Sequence, residues 1–189
     1  MLPISRSVLY TTNWYEGFKK KENLLDLTIN QIKSYIKFNY KLKEKNIKGV
    51  EIIEKKIISD DRGKILHMIR NDDNNFKKFG EIYFSYVYPK KIKAWHIHKK
   101  MTLNYVAVYG KIKLVLYDDR KDSPTKGIVQ EIFLSNEKHL LVTIPPLIWN
   151  GFTSADNNEA VLANCSDIPH DKSEILRIDY NDEKFPYNW

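Results

Sequence analysis

Two rhythms of apolar residues divide the chain. From Asn23 to about Lys45, Leu25, Ile29, Ile32, Ile36 and Tyr40 recur at spacings of three and four with lysines between them, the period of an amphipathic helix. Asn23 is placed to cap its start and Asn46 to end it. Residues 1–22 show neither rhythm. After Gly49 the pattern shortens to strands: Val50–Ile53, Lys56–Ile58, Lys64–Arg70, Tyr105–Tyr109, Lys111–Tyr117, Val129–Leu134, Leu140–Ile144 and Ala160–Asn164. Ile82, Phe84, Tyr86 and Tyr88 alternate with period two and predict a strand that runs into Lys93–Lys100. Ser59–Gly63 reads as a turn, and Phe76–Gly80 as one helical turn. Gly110 joins two strands so closely that a tight turn with positive φ is expected. Asp118–Gly127 is a loop, with Asp118 and Asp119 in a solvated turn, and Pro145-Pro146 stops a strand. Short strands at regular spacing predict an all-β sandwich or barrel over residues 49–189, with residues 1–48 as a helix-bearing extension.

Composition narrows the function classes. At 189 residues the chain suits one domain plus an extension, and its charged fraction of 29% with a mean hydropathy of -0.51 describes a soluble protein. The apolar runs are far too short to span a bilayer, and the start lacks the basic-then-apolar pattern of a secretory signal. Cys165 is the only cysteine, so the cytoplasm is the expected compartment. The formal charge of +7 gathers visibly at Lys19–Lys21, Lys90-Lys91 and Lys99-Lys100. Such a surface attracts polyphosphates. Zinc-finger spacings and aromatic RNA-binding signatures are missing, so neither nucleic acid nor membrane is an expected partner.

Chemistry concentrates in Lys93-Ala94-Trp95-His96-Ile97-His98-Lys99-Lys100, which holds two of the five histidines. Residues two apart on a strand share a face. His96 and His98 therefore point the same way, with Trp95 and Ile97 packing behind them. A same-face histidine pair suits metal ligation or proton transfer; it also suits one core histidine beside one exposed one. Cys165 shows no histidine partner, and His67, His139 and His170 read as loop or strand-surface residues.

His96-x-His98, Gly110 and Ile144-Pro145-Pro146 resemble the two halves of a cupin jelly roll. Metal-binding cupins place a glutamate and a third histidine where this chain has Thr102 and Asn150, neither a good transition-metal ligand. No metal and no cofactor is therefore expected. Further segments occur in order: Asp60-Asp61-Arg62-Gly63, Trp95-His96, Asp119–Gly127 with its Ser123-Pro124-Thr125, Asn150-Gly151-Phe152, Asn164–Asp167 and Pro186-Tyr187-Asn188-Trp189. Together they resemble the family of dTDP-4-dehydrorhamnose 3,5-epimerases, metal-independent cupins, over roughly Val50–Trp189.

The resemblance implies a jelly roll that epimerises a 4-keto nucleotide-diphosphate sugar at C3, C5 or both, in deoxysugar or surface-polysaccharide biosynthesis, as a homodimer. It implies His96 as the base and Asp179 as the carboxylate that orients it, with Asp182 as second choice. Arg62 and Lys93 fall where the family places phosphate-binding arginines. The family's enolate-stabilising lysine falls on Leu103, its acidic tyrosine on Ile168-Pro169, and the histidine of its Asn-Gly-Phe turn on Asn150. His98, Lys99 and Lys100 are the nearest substitutes for the missing cation, and Tyr105 and Tyr83 for the missing acid. His98, Lys100, Tyr105 and Asn150 thus join Arg62 and Lys93 as expected substrate contacts. Two alternatives stay open: a metal enzyme using His96 and His98, and a non-catalytic nucleotide-sugar-binding cupin.

Overall fold

The computed structural model describes residues 46–189; the expected helix from Asn23 to Lys45 lies outside them. Twelve strands follow: β1 (Glu51–Glu54), β2 (Ile57–Asp60), β3 (Gly63–Leu66), β4 (Glu81–Val87), β5 (Ile92–His98), β6 (Leu103–Tyr109), β7 (Lys111–Asp118), β8 (Val129–Ser135), β9 (Leu140–Ile144), β10 (Ile148–Ser154), β11 (Ala160–Ser166) and β12 (Ile175–Arg177). They form two five-stranded sheets, ordered β1-β9-β6-β11-β4 and β12-β5-β10-β7-β8, plus the β2–β3 hairpin. Every pairing is antiparallel, and no described helix is long and apolar enough to cross a membrane.

The sandwich core is built by alternation. Leu103, Tyr105 and Ala107 from one sheet meet Ile112, Leu114, Leu116 and Phe152 from the other, with Ile47 and Leu162 among them. Each large apolar side chain so buried stabilises the fold by about 2 kcal/mol. Behind the second sheet, Trp95, Val115 and Trp149 are covered by Phe185, whose ring stacks on Trp95 at 4.4 Å between centroids. This aromatic lock fixes the back of β5 and so the direction of its front. Behind the first sheet, Met68 and Ile69 cover Val106, Leu141 and Ala163.

Three sequence expectations are corrected. Asn150-Gly151-Phe152 is not a turn but the middle of β10, paired to both β5 and β7. Glycine is required there because a Cβ on Gly151 would lie 2.2 Å from that of Ala94. Phe76–Gly80 forms no helical turn; the turn falls at 71–75, closed by Phe76 N–H donating to Asp73 O at 3.0 Å, while Gly80 N–H is held by Ser166 O at 2.8 Å. The strand expected to run from Ile82 into the histidines is two strands with a turn between, closed by Lys91 N–H on Tyr88 O at 3.1 Å. Gly110 behaves as expected, with φ of +67°.

Asp118 is also unlike its expectation. It is fully buried and accepts from Arg120 Nε at 2.9 Å, Ser123 Oγ at 2.5 Å and Thr125 Oγ1 at 2.6 Å. Burial opposes its charge, but these donors outweigh it and hold the carboxyl well below its ordinary range.

Candidate functional site

Where β4 and β12 form the free edges of the two sheets, the sandwich opens into a cavity of about 560 Å³. Tyr83 and Ser85 of β4 line one side, and Lys93, His96 and His98 of β5 the other, with Arg177 of β12 beside them. The period of two delivers both imidazoles to this face, their ring centroids 5.9 Å apart, while Trp95 stays locked on the back.

The two histidines sit in different surroundings. His96 is 8% exposed, and its Nε2 lies 3.3 Å from the Tyr105 hydroxyl. Asn150 fixes the polarity of that contact. Its Nδ2 donates to the His96 carbonyl at 3.2 Å, so its Oδ1 is the acceptor that takes the Tyr105 hydroxyl proton at 3.3 Å. The Tyr105 oxygen is then left to accept from His96 Nε2–H. Burial above all, then an imidazolium at His98 where it forms, and the charges of Arg177 and Lys93, push the His96 ring down to about 3, so it is neutral at neutral pH.

His98 is 5% exposed and has a carboxylate. Its Nδ1 meets Glu174 Oε2 at 2.6 Å, and Glu174 Oε1 accepts from the backbone N–H of Lys100 at 2.8 Å and of Met101 at 2.7 Å. Burial alone would raise this carboxyl, but the Lys100 N–H, the His98 ring and the Met101 N–H hold it below its ordinary value. Strand pairing brings the two groups together: β12 runs antiparallel to β5 with Ile175 opposite His98 and Arg177 opposite His96, and Lys99 N–H donates to Glu174 O at 3.0 Å.

Cations complete the wall. Lys93 Nζ donates to Ser85 Oγ at 2.7 Å and Tyr86 O at 2.8 Å, and burial followed by Arg177 lowers its pKa. Arg177 makes no ion pair among the described residues, so its charge is available to an anion. Tyr83, from the sheet facing the histidines, has its phenol pushed up, mainly by burial. Tyr105 is raised further, by burial and by Tyr83 beside it.

The structure therefore brings together only some of the expected site residues. His96, His98, Lys93 and Tyr105 line the cavity. Asn150 is wholly buried beneath Tyr105. Lys100 is exposed and contributes its backbone N–H to Glu174 rather than its ammonium to the cavity. Arg62 sits on the β2–β3 turn, paired to Asp60 at 2.6 Å with 82% of its side chain exposed, and does not line this cavity. Asp179 is the clearest correction. It does not hold His96: it is exposed and caps the next turn, accepting from Asn181 N–H at 3.3 Å. Asp182 likewise accepts from Lys184 N–H at 2.9 Å. The C-terminal segment does supply a carboxylate, but from Glu174 and to His98. Glu174, Arg177 and His170, which lines the cavity from a loop, were not singled out in the sequence. Nothing in Ile175-Leu176-Arg177 taken alone marks a strand or names β5 as its partner. Among the described residues, no group of three or more His, Cys, Asp or Glu side chains converges as a metal site requires.

The described part of the chain is similar to known proteins. The family model described as dTDP-4-dehydrorhamnose 3,5-epimerase matches residues 44–189. The chain is 30% identical over 145 residues to the spore coat polysaccharide biosynthesis protein SpsL of Bacillus subtilis, covering 76% of this chain and 96% of that protein. It is also 30% identical to the probable low-salt glycan biosynthesis epimerase Agl13 of Haloferax volcanii, covering 76% and 90%. Among solved structures, the dTDP sugar isomerase of Desulfovibrio desulfuricans G20 is similar at 39% identity and a TM-score of 0.74, covering 76% of this chain and 92% of that one.

Proposed function

The chain belongs to the dTDP-4-dehydrorhamnose 3,5-epimerase family, and on that premise we propose that it epimerises a 4-keto nucleotide-diphosphate sugar by proton transfer at C3, C5 or both, within deoxysugar or surface-polysaccharide biosynthesis. The 4-keto group acidifies the hydrogens on its neighbouring carbons. A base takes one, the electron pair moves onto the carbonyl oxygen as an enolate, and a proton returned to the opposite face inverts the centre. One observation carries this reading: two imidazoles share a cavity wall with Lys93 and Arg177. The imidazoles provide the proton acceptor. The cations meet the diphosphate and the enolate oxygen, compensating for a lysine that is Leu103 here. Lys93 contributes a point charge, whereas Arg177 offers a planar fork suited to paired phosphate oxygens. Tyr83 reaches the cavity from the other sheet and is the favoured acid for the opposite face. Tyr105 commits its proton to Asn150.

The test is incubation with dTDP-4-keto-6-deoxyglucose in deuterium oxide, followed by mass spectrometry and NMR at C3 and C5. Label at one or both carbons is expected. Nucleotide-sugar binding without label would leave a non-catalytic binding protein instead.

The same proposal includes a homodimer. It is supported by edge strand β4, whose Ile82, Phe84 and Tyr86, with Tyr88 just beyond its end, are 50%, 58%, 55% and 63% exposed, an apolar stripe suited to a second copy. Phe84→Lys is expected to shift the full chain toward monomer in sedimentation equilibrium, and an unchanged mass would remove the stripe from the interface. The cytoplasm is the proposed compartment, in keeping with a nucleotide-activated substrate and the single free thiol of Cys165.

A further inference from the structure

We propose that His98, oriented by Glu174, is the base that removes the carbon-bound proton, and that His96 is a fixed neutral donor to Tyr105. This rests on the reaction proposed above and assigns the work within it differently from the resemblance.

Two hydrogen-bond chains carry the assignment. The first ends on His96. Asn150 can turn only its amide nitrogen toward the His96 carbonyl, so its oxygen takes the Tyr105 proton and Tyr105 takes the Nε2–H of His96. That ring spends its proton on Tyr105 and has no carboxylate to stabilise an imidazolium. Burial first, and then cationic charge on His98, Arg177 and Lys93, makes charging it costly, which is why its pKa lies so low. A group that resists protonation this strongly is a weak acceptor for a carbon acid.

The second chain ends on His98. The Lys100 and Met101 N–H groups anchor Glu174 Oε1, leaving Oε2 to face His98 Nδ1 at 2.6 Å. An ionised carboxylate only accepts, so Nδ1 carries a proton, and in the neutral ring the lone pair is on Nε2. The ring lines the cavity, and Nε2 has no partner among the described residues. When Nε2 takes the substrate proton, the imidazolium formed lies against a carboxylate already held in place, the arrangement that makes a histidine an effective base. His98 is thus the catalytic residue and Glu174 a positioning residue.

Glu174→Gln separates this role from mere tethering. Its side-chain oxygen can still accept from Lys100 and Met101, but its amide presents N–H to His98 Nδ1. The ring must then accept at Nδ1 and carry its proton on Nε2. Deuterium uptake into dTDP-4-keto-6-deoxyglucose should fall by about 10²–10⁴-fold. The Kd for dTDP should stay within about twofold, because no cation is touched. Imidazole ¹⁵N NMR should show the proton of His98 moving from Nδ1 in the wild type to Nε2 in the variant. His98→Gln should lose uptake to a similar degree, and His96→Gln far less. A wild-type His98 protonated on Nε2, or a Glu174→Gln protein that exchanges normally, overturns the assignment. So does uptake that survives His98→Gln but not His96→Gln, and in that case the proposed reaction still stands. A wild-type protein that binds dTDP yet labels no 4-keto nucleotide sugar overturns the reaction and this assignment together.

Discussion

Asp118 and Glu174 are both buried carboxylates satisfied by several donors, yet they do opposite jobs. The donors to Asp118 come from Arg120, Ser123 and Thr125, all within seven residues, and the network ends in the fold, on the Lys48 backbone. Glu174 takes two backbone N–H groups from the segment after β5 and spends its remaining oxygen on a ring 76 residues away. That ring has a second nitrogen and borders a cavity. Burial and hydrogen bonding alone do not distinguish a structural carboxylate from a functional one. What distinguishes them is whether the chain of donors ends in the fold or at an open space.

The largest effect that tests this contrast is Asp118→Ala. Removing the acceptor strands a partly buried guanidinium and two hydroxyls, which costs about 3–5 kcal/mol, or roughly 10 °C in Tm. Deuterium uptake per folded molecule should not change. A selective loss of uptake would break the contrast by making the loop part of the site.

Acidification comes next. His96 has a folded pKa of about 3 against about 6.5 when unfolded. Between those values the unfolded chain binds the extra proton, so stability falls as pH drops through that window, by about 3 kcal/mol from pH 6.5 to 4. Asp118 and Glu174, whose folded pKa values are both lowered, add a loss in the same direction. Their stabilisation is complete above the unfolded carboxylate pKa of about 4 and disappears as pH falls through the folded values. Urea titrations across this range should show the decline, and His96→Asn should flatten the part above pH 4. A slope unchanged by that substitution would mean that the ring is not buried neutral.

Ser123→Ala removes one of several donors to Asp118 and should cost about 1 kcal/mol in urea unfolding, sharpening the case that the loop network is shared among its members. Smallest of all is Arg62→Ala. Its pair with Asp60 is exposed, so the urea unfolding midpoint should not move. A raised KM for the nucleotide sugar with that stability intact would place the hairpin at a neighbouring copy's cavity.

Much of the sandwich was legible because alternation is a local signal. The strand around Tyr105–Tyr109, its partner after Gly110, and the shared face of His96 and His98 all follow from period two. What failed was whatever depended on a distant partner. Trp149-Asn150-Gly151-Phe152 looks like a turn until Ala94 is placed against Gly151. In β4 the alternating apolar residues face outward, while Tyr83 and Ser85 face the cavity, because an edge strand does not have to direct its most apolar side toward its own core. The family resemblance points to Asp179 for the carboxylate of the site. The residue that reaches a histidine lies five positions earlier, where β12 meets β5. Sequence spacing gave the histidine face, but only strand register could say which imidazole the acid serves.

The order of strands along the polypeptide has a consequence for synthesis. Every element of both sheets except β12 lies before residue 167, so a ribosome has delivered nearly the whole sandwich before Glu174 emerges. Until β12 and Phe185 have followed, the edge of β5 has no partner on that side and Trp95 lacks its cover. The histidine strand is thus completed, on its edge and on its back, only by residues made after both sheets are otherwise whole.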